Sequence, residues 1–234
     1  MKKTLFDGFI LSITGDETDH LAQIGDAALS IFTNECLPQL NIPFISAVIS
    51  AYKIGTTIVE RNHIRNLCLF IEKINKRITD ESERDEYISK LNCMSEADRN
   101  KELEFVVLIT SKYISEDKPK MLADLYIAYI NQAITWKEFA SYSEILDRFL
   151  QGDVETLLSG DQICVSDQIV SDSLLRLVAM GLLVAQSKDV VAENTLGHIH
   201  IPANSEKDYV LTDFGRKLIN CIKPEHEHAA ETQE

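Results

Sequence analysis

The sequence predicts a mainly α protein, with a helical N-terminal domain followed by a small α+β module. Three observations predict it. Apolar residues recur at helical spacing through the first two thirds of the chain. No segment before residue 160 alternates apolar and polar residues for long. After Gly152 the composition shifts towards valine and short β-like runs. The expected division is an all-helical domain over 1–152, the α+β module over 153–223, and an acidic tail over 224–234 that is expected to be disordered.

Residues 1–16, punctuated by Gly8 and Gly15, show no clear period and predict no element. From Glu17 the pattern turns helical, with Leu21, Ile24, Ala28, Leu29, Ile31 and Phe32 on one side. Pro38 and Pro43 end that helix and open the next, because proline suits a first helical turn. Residues 36–52 carry no charge, and 54–59 extend the run past Lys53. This stretch predicts a buried central helix, and Phe44, Ile45, Val48, Ile49 and Tyr52 are its candidate interface residues. Arg61, His63, Arg65, Lys73, Lys76 and Arg77 then alternate with Ile64, Leu67, Cys68, Phe70, Ile71 and Ile74. That is an amphipathic helix with a cationic outer face, expected to be solvated and paired with neighbouring acids.

Over 79–92, Tyr87, Ile88 and Leu91 form the apolar stripe of a charged helix. Ser95 caps a helix expected to run through Leu103, Val106, Val107, Ile109 and Tyr113. Pro119 opens another, with Leu122, Leu125, Tyr126 and Tyr129 inward. Thr135 and Glu138 form a capping box for a helix through Phe139, Tyr142, Ile145 and Leu146, which makes a helical hairpin around Asn131. In the module, 171–180 is a helix ended by Gly181, 182–185 and 209–212 are strands, and a last helix starts at Asp213. The piece His198-Ile199-His200-Ile201 interrupts a long polar excursion between the strands.

Composition narrows the function classes. Lys and Arg number 23 against 37 Asp and Glu, so the net charge of -14 disfavours phosphate-driven binding by the whole molecule. Five widely spaced cysteines (36, 68, 93, 164 and 221), without a CxxC, read as single buried thiols and point to the cytoplasm. Asp7, Asp16, Glu17 and Asp19 interrupt any apolar core of a signal peptide. No P-loop, GxGxxG, GxSxG or HExxH occurs. No catalytic, cofactor or metal residues are expected. His198 and His200 read as surface, His226 and His228 as a weak scavenger of metals, and Tyr126, Tyr129, Trp136 and Tyr142 as core.

The most specific pattern is a helix ending in Met180-Gly181-Leu182-Leu183, a loop, then Tyr209-Val210-Leu211-Thr212-Asp213-Phe214-Gly215-Arg216-Lys217-Leu218. This layout resembles the winged-helix superfamily. The stretch from Leu211 to Cys221 also resembles the C-terminal motif of the abortive-infection alpha family of bacterial proteins, which is associated with phage exclusion. Winged helices that read DNA place a basic helix in the major groove. Here residues 162–223 hold six Lys or Arg against seven Asp or Glu. Arg176, Lys188, Lys207, Arg216 and Lys217 are the candidate nucleic-acid contacts.

These readings converge on a non-enzymatic bacterial interaction or regulatory protein, and the second resemblance implies phage defence. Its expected partner is another protein or a copy of itself, and no cofactor is expected. The alternatives are a DNA-binding regulator using the winged helix, and a membrane-active effector using the 36–59 helix.

Overall fold

The computed structural model describes residues 5–14, 42–54, 57–78, 80–158, 162–165, 171–187 and 207–222. The protein is mainly α-helical with a small antiparallel sheet near its C-terminus. The chain divides into two compact units, Met1–Asp147 and Arg148–Glu234.

The first unit holds seven described helices: α1 (Leu5–Thr14), α2 (Pro43–Tyr52), α3 (Ile58–Arg77), α4 (Glu81–Asn92), α5 (Glu96–Thr110), α6 (Asp117–Ile130) and α7 (Trp136–Arg148). The helix expected around residues 17–32 lies outside the described residues. Several starts follow directly from local chemistry. Pro43 opens α2. The Ser95 hydroxyl accepts from the Asp98 N–H, and the Thr135 hydroxyl from the Glu138 N–H, each satisfying an otherwise orphaned donor. Between α6 and α7 the turn passes through Gln132 at φ 60°, a left-handed residue that reverses the chain.

Two expectations are corrected here. The first 16 residues do contain a helix, α1, which buries Phe6, Phe9 and Ile13 at near-helical spacing. Gly8 masks it in the sequence, since glycine disfavours a helix interior. Its reason is tertiary: a Cβ at Gly8 would sit 2.9 Å from the Pro43 carbonyl oxygen and 3.2 Å from the Ala47 Cβ. Ser12 strengthens the same junction, donating to the Gly8 carbonyl and accepting from the Phe44 N–H, each at 2.9 Å.

The apolar run over 36–59 is not one buried helix either. Lys53 takes a left-handed conformation at φ 53° and caps α2. Thr57 and Glu60 then form a reciprocal capping box that starts α3 afresh. Phe44, Ile45 and Val48 are fully buried within the chain, which removes them from any partner surface in this conformation.

The long buried helix is instead α3, which places Ile64, Leu67, Cys68, Phe70, Ile71 and Ile74 inside and packs along α6. Its cationic face pairs with acids as expected: Arg65 with Glu116 at 3.0 Å, Lys73 with Asp124 at 3.4 Å, and Lys76 with Glu72. An aromatic core joins α1, α2, α6 and α7. Phe9 meets Phe44 and Tyr126 edge to face at 5.4 and 5.9 Å, and Tyr126 meets Phe139 at 5.6 Å.

The second unit runs α8 (Asp153–Leu158), β1 (Gln162–Val165), α9 (Asp172–Ala179), β2 (Leu183–Ser187), β3 (Lys207–Leu211) and α10 (Asp213–Ile222). The sheet order is β1-β3-β2, both pairings antiparallel, with Leu183 opposite Leu211 and Ser187 opposite Lys207. Gly181, at φ 75°, ends α9, and the Leu182 N–H reaches back to the Leu177 carbonyl. Leu174, Leu177, Leu182, Leu183, Tyr209, Leu211 and Leu218 are buried. The expected piece at 198–201 and the tail over 224–234 lie outside the described residues.

Gly8→Ala tests the α1–α2 contact. Alanine should favour an open helix by about 1 kcal/mol. Against the Pro43 carbonyl, overpacking costs about 1–3 kcal/mol, so the variant should be net destabilised in urea unfolding.

Candidate functional site

The described residues offer one constellation that is both built and outward-facing. It begins with a satisfaction problem. The last carbonyls of a helix have no intrahelical donors. At the end of α5 those carbonyls are met by side chains of α3. His63 Nε2–H donates to the Val107 carbonyl at 2.8 Å. Asn66 Nδ2 donates to the Thr110 carbonyl at 2.9 Å and to that of Tyr113 at 2.7 Å. Asn62 Nδ2 also donates to Tyr113, at 2.7 Å. Arg65 Nη2 donates to the Ile114 carbonyl at 3.0 Å and to Asn62 Oδ1 at 2.6 Å. Burial holds the His63 imidazole below its ordinary pKa, although the bond to Val107 works the other way. The ring is therefore a neutral donor.

This clamp fixes the start of α3 against the end of α5. Ile58 and Val59 precede Asn62 and His63 by one turn, while Leu108 and Ile114 neighbour the held carbonyls. Tyr52, at the end of α2, feels the charge of Glu104 on α5. Burial raises the Tyr52 phenol above its ordinary pKa, and the Glu104 charge raises it further. The side chains of Ile58, Val59, Leu108, Ile114 and Tyr52 are 78, 71, 60, 85 and 41% exposed. Single exposed apolar residues are ordinary, but four of these five lie within one turn of a clamping or clamped residue, which makes this region the candidate contact surface.

Of the expected interface residues, only Tyr52 stands in this patch, with Ile49 half-buried. The others went unrecognised for separate reasons. Ile58 and Val59 read as the end of a buried run. Leu108 sits on the charged face of α5 between Glu104 and Lys112, a break in amphipathic pattern that the sequence does display.

The candidate nucleic-acid contacts have separate settings. Arg176 is held by Asp153, with Nη2 at 2.7 Å and Nε at 3.2 Å from its carboxylate, and by the Ser173 hydroxyl at 3.0 Å. Asp153 is fully buried and also accepts from the Leu150 N–H at 2.7 Å. Its burial pushes the carboxyl pKa up, but the Arg176, Leu150 and Ser173 hydrogen bonds and the Arg176 charge outweigh that and hold it low. A guanidinium so engaged joins α8 to α9. Arg216 pairs with Asp213 at 3.4 Å. Lys217 lies beside it on α10, Lys207 opens β3, and Lys188 lies outside the described residues.

The L-T-x-x-G signature has a structural role. Thr212 Oγ1 donates to the Gly181 carbonyl at 2.7 Å and accepts from the Gly215 N–H at 3.0 Å. A Cβ on Gly215 would collide with the Leu182 carbonyl. Leu211 and Leu218 fill the core beneath.

Of the cysteines expected to be buried, Cys68 is, whereas Cys93 is exposed and Cys221 half-buried. Burial pushes the Cys68 thiol up to about 12, so it stays protonated and inert. Tyr126 and Tyr142 are buried, while Tyr129 and Trp136 are half-buried at 5.4 Å centroid separation. Tyr129 Oη donates to Glu102 Oε1 at 2.7 Å, and burial raises the Glu102 pKa despite that bond. Among the described residues no group of three His, Cys, Asp or Glu is placed to hold a metal ion, and no helix is long and apolar enough to cross a membrane. Comparison with family models, curated proteins and solved structures gives no match.

Two outcomes follow from the charges. His63 is neutral when folded, so its contribution to stability is complete above its unfolded pKa of 6.5 and is lost as pH falls through the lower folded value. His63→Gln should remove that part of the pH slope, read as the wild-type minus variant difference in urea midpoint from neutral pH downward. For Arg176→Met, unfolding of the second unit should come earlier at neutral pH. That penalty should shrink as pH falls below 3.8 and Asp153 becomes protonated.

Proposed function

We propose that this protein works by contact and not by catalysis: a bacterial interaction protein with a regulatory role in phage defence, of the abortive-infection type. The observation that carries the contact reading is the cluster of Tyr52, Ile58, Val59, Leu108 and Ile114. It exposes large apolar side chains on a rigid junction of an otherwise strongly charged chain. The link to phage defence rests on the resemblance of the segment from Leu211 to Cys221.

The alternatives lose support. For a DNA-binding regulator, Arg176 is committed to Asp153, and residues 162–223 carry more acids than bases. For a membrane-active effector, the 36–59 run is divided at Lys53, and Phe44, Ile45 and Val48 are buried.

The test is plaque formation on a bacterial host expressing the chain, compared with the Ile58→Asp/Ile114→Asp double variant. Both positions are exposed, so stability should change by no more than about 0.5 kcal/mol per site. The double variant should lose plaque suppression, and lose co-purifying protein at low salt and at about 0.5 M salt alike. Suppression indifferent to the double variant, together with a salt-sensitive shift of duplex DNA, would overturn the reading. So would hydrolysis of a nucleotide by the pure protein that one carboxylate substitution abolishes.

A further inference from the structure

We infer that the apolar end of the helical unit is a homodimer interface, in which a second copy of this chain packs α5 against α5 about a two-fold axis at Leu108. The inference rests on the contact reading above and names the partner of that surface.

Charge order along α5 points to a copy of the chain. Leu108 is exposed at the centre of the outer face, with Glu104 one turn before it and Lys112 one turn after it. Lys112 lies in the tight turn that follows α5, its N–H bonding to the Ile109 carbonyl at 3.1 Å. Both charged side chains are exposed, and neither has an ion-pair partner among the described residues. A two-fold axis perpendicular to the helices sets them antiparallel and makes each contact occur twice. With the axis at Leu108, Glu104 of each copy faces Lys112 of the other. The same stripe placed against itself in parallel would oppose like charges. The sequence Glu-x-x-x-Leu-x-x-x-Lys is thus self-complementary in one orientation only.

Leu108 follows the held Val107 carbonyl, and Ile58, Val59 and Ile114 lie within a turn of other members of the α3–α5 clamp, so little ordering is required on association. The apolar centre supplies most of the affinity, and the Glu104–Lys112 pairs set the orientation.

The experiment is sedimentation equilibrium of the full chain from about 1 to about 200 µM, a span that brackets a weak or moderate dimer. Wild type should be a reversible dimer, and Leu108→Asp a monomer with an unchanged helical circular-dichroism signal and a melting temperature that no longer rises with concentration. Glu104→Lys and Lys112→Glu singly should each weaken dimerisation about tenfold or more, because like charges then meet twice. The double swap Glu104→Lys/Lys112→Glu should restore it. A dimer untouched by Leu108→Asp, or singles that the double swap fails to rescue, would overturn this geometry. A wild-type monomer across the range would overturn the second copy as occupant. If the Ile58→Asp/Ile114→Asp variant still lost its co-purifying protein, the contact reading itself would stand with a different partner. Loss of neither property would sink both.

Discussion

The carbonyl groups at the C-terminal end of α5 are the constraint on which the helical unit's working face depends. A helix end that is buried must find donors, because each unsatisfied carbonyl costs about 1–3 kcal/mol. Local groups meet some of these carbonyls, such as the Ser111 hydroxyl on Leu108 and the Lys112 N–H on Ile109, and one neighbouring helix supplies the remaining donors. His63, Asn66, Asn62 and Arg65 occupy successive turns of α3 and meet the carbonyls of Val107, Thr110, Tyr113 and Ile114. The requirement fixes the relative position of two helices at hydrogen-bond precision, which apolar packing alone does less sharply. It also explains polar residues on the buried face of α3, where Asn66 is fully buried.

That rigid junction decides what the surface can do. The aromatic core around Phe9, Phe44, Tyr126 and Phe139 absorbs the first half of the uncharged run. The second half, beyond the break at Lys53, emerges on the outside as Ile58 and Val59. Apolar residues placed on a mobile loop lose much of their binding energy to ordering. Placed at the start of a capped helix whose next turn is clamped, they do not.

In the second unit, close backbone approach is the ruling constraint. Thr212 bridges the end of α9 and the start of α10, and Gly215 leaves room for the Leu182 carbonyl. The signature that carries the family resemblance is therefore a folding signature. It constrains the architecture of this unit and leaves its binding partner to other residues. Arg176 makes the same point: its guanidinium is drawn inward by a buried carboxylate whose charge needs compensation.

Much of the fold was legible in the sequence because its determinants are local. Helical periodicity marked α3 to α7. The caps at Ser95 and Thr135, the proline at 43, and Gly181 and Thr212 placed helix ends to within a few residues, since each satisfies or removes a backbone group within one turn. The burial of Leu177, Leu182 and Leu211 followed from the same patterns. What only the tertiary structure decided involves residues far apart in sequence. Gly8 hides a helix because its missing side chain serves Pro43. Phe44 and Val48 are inside while Ile58 and Val59 are outside, although all four belong to one apolar stretch interrupted only at Lys53. Arg176 is a structural cation because Asp153, 23 residues away, lies buried beside it. Hydrophobicity states that a side chain gains by leaving water, and only the packed chain determines whether its own neighbours provide the place.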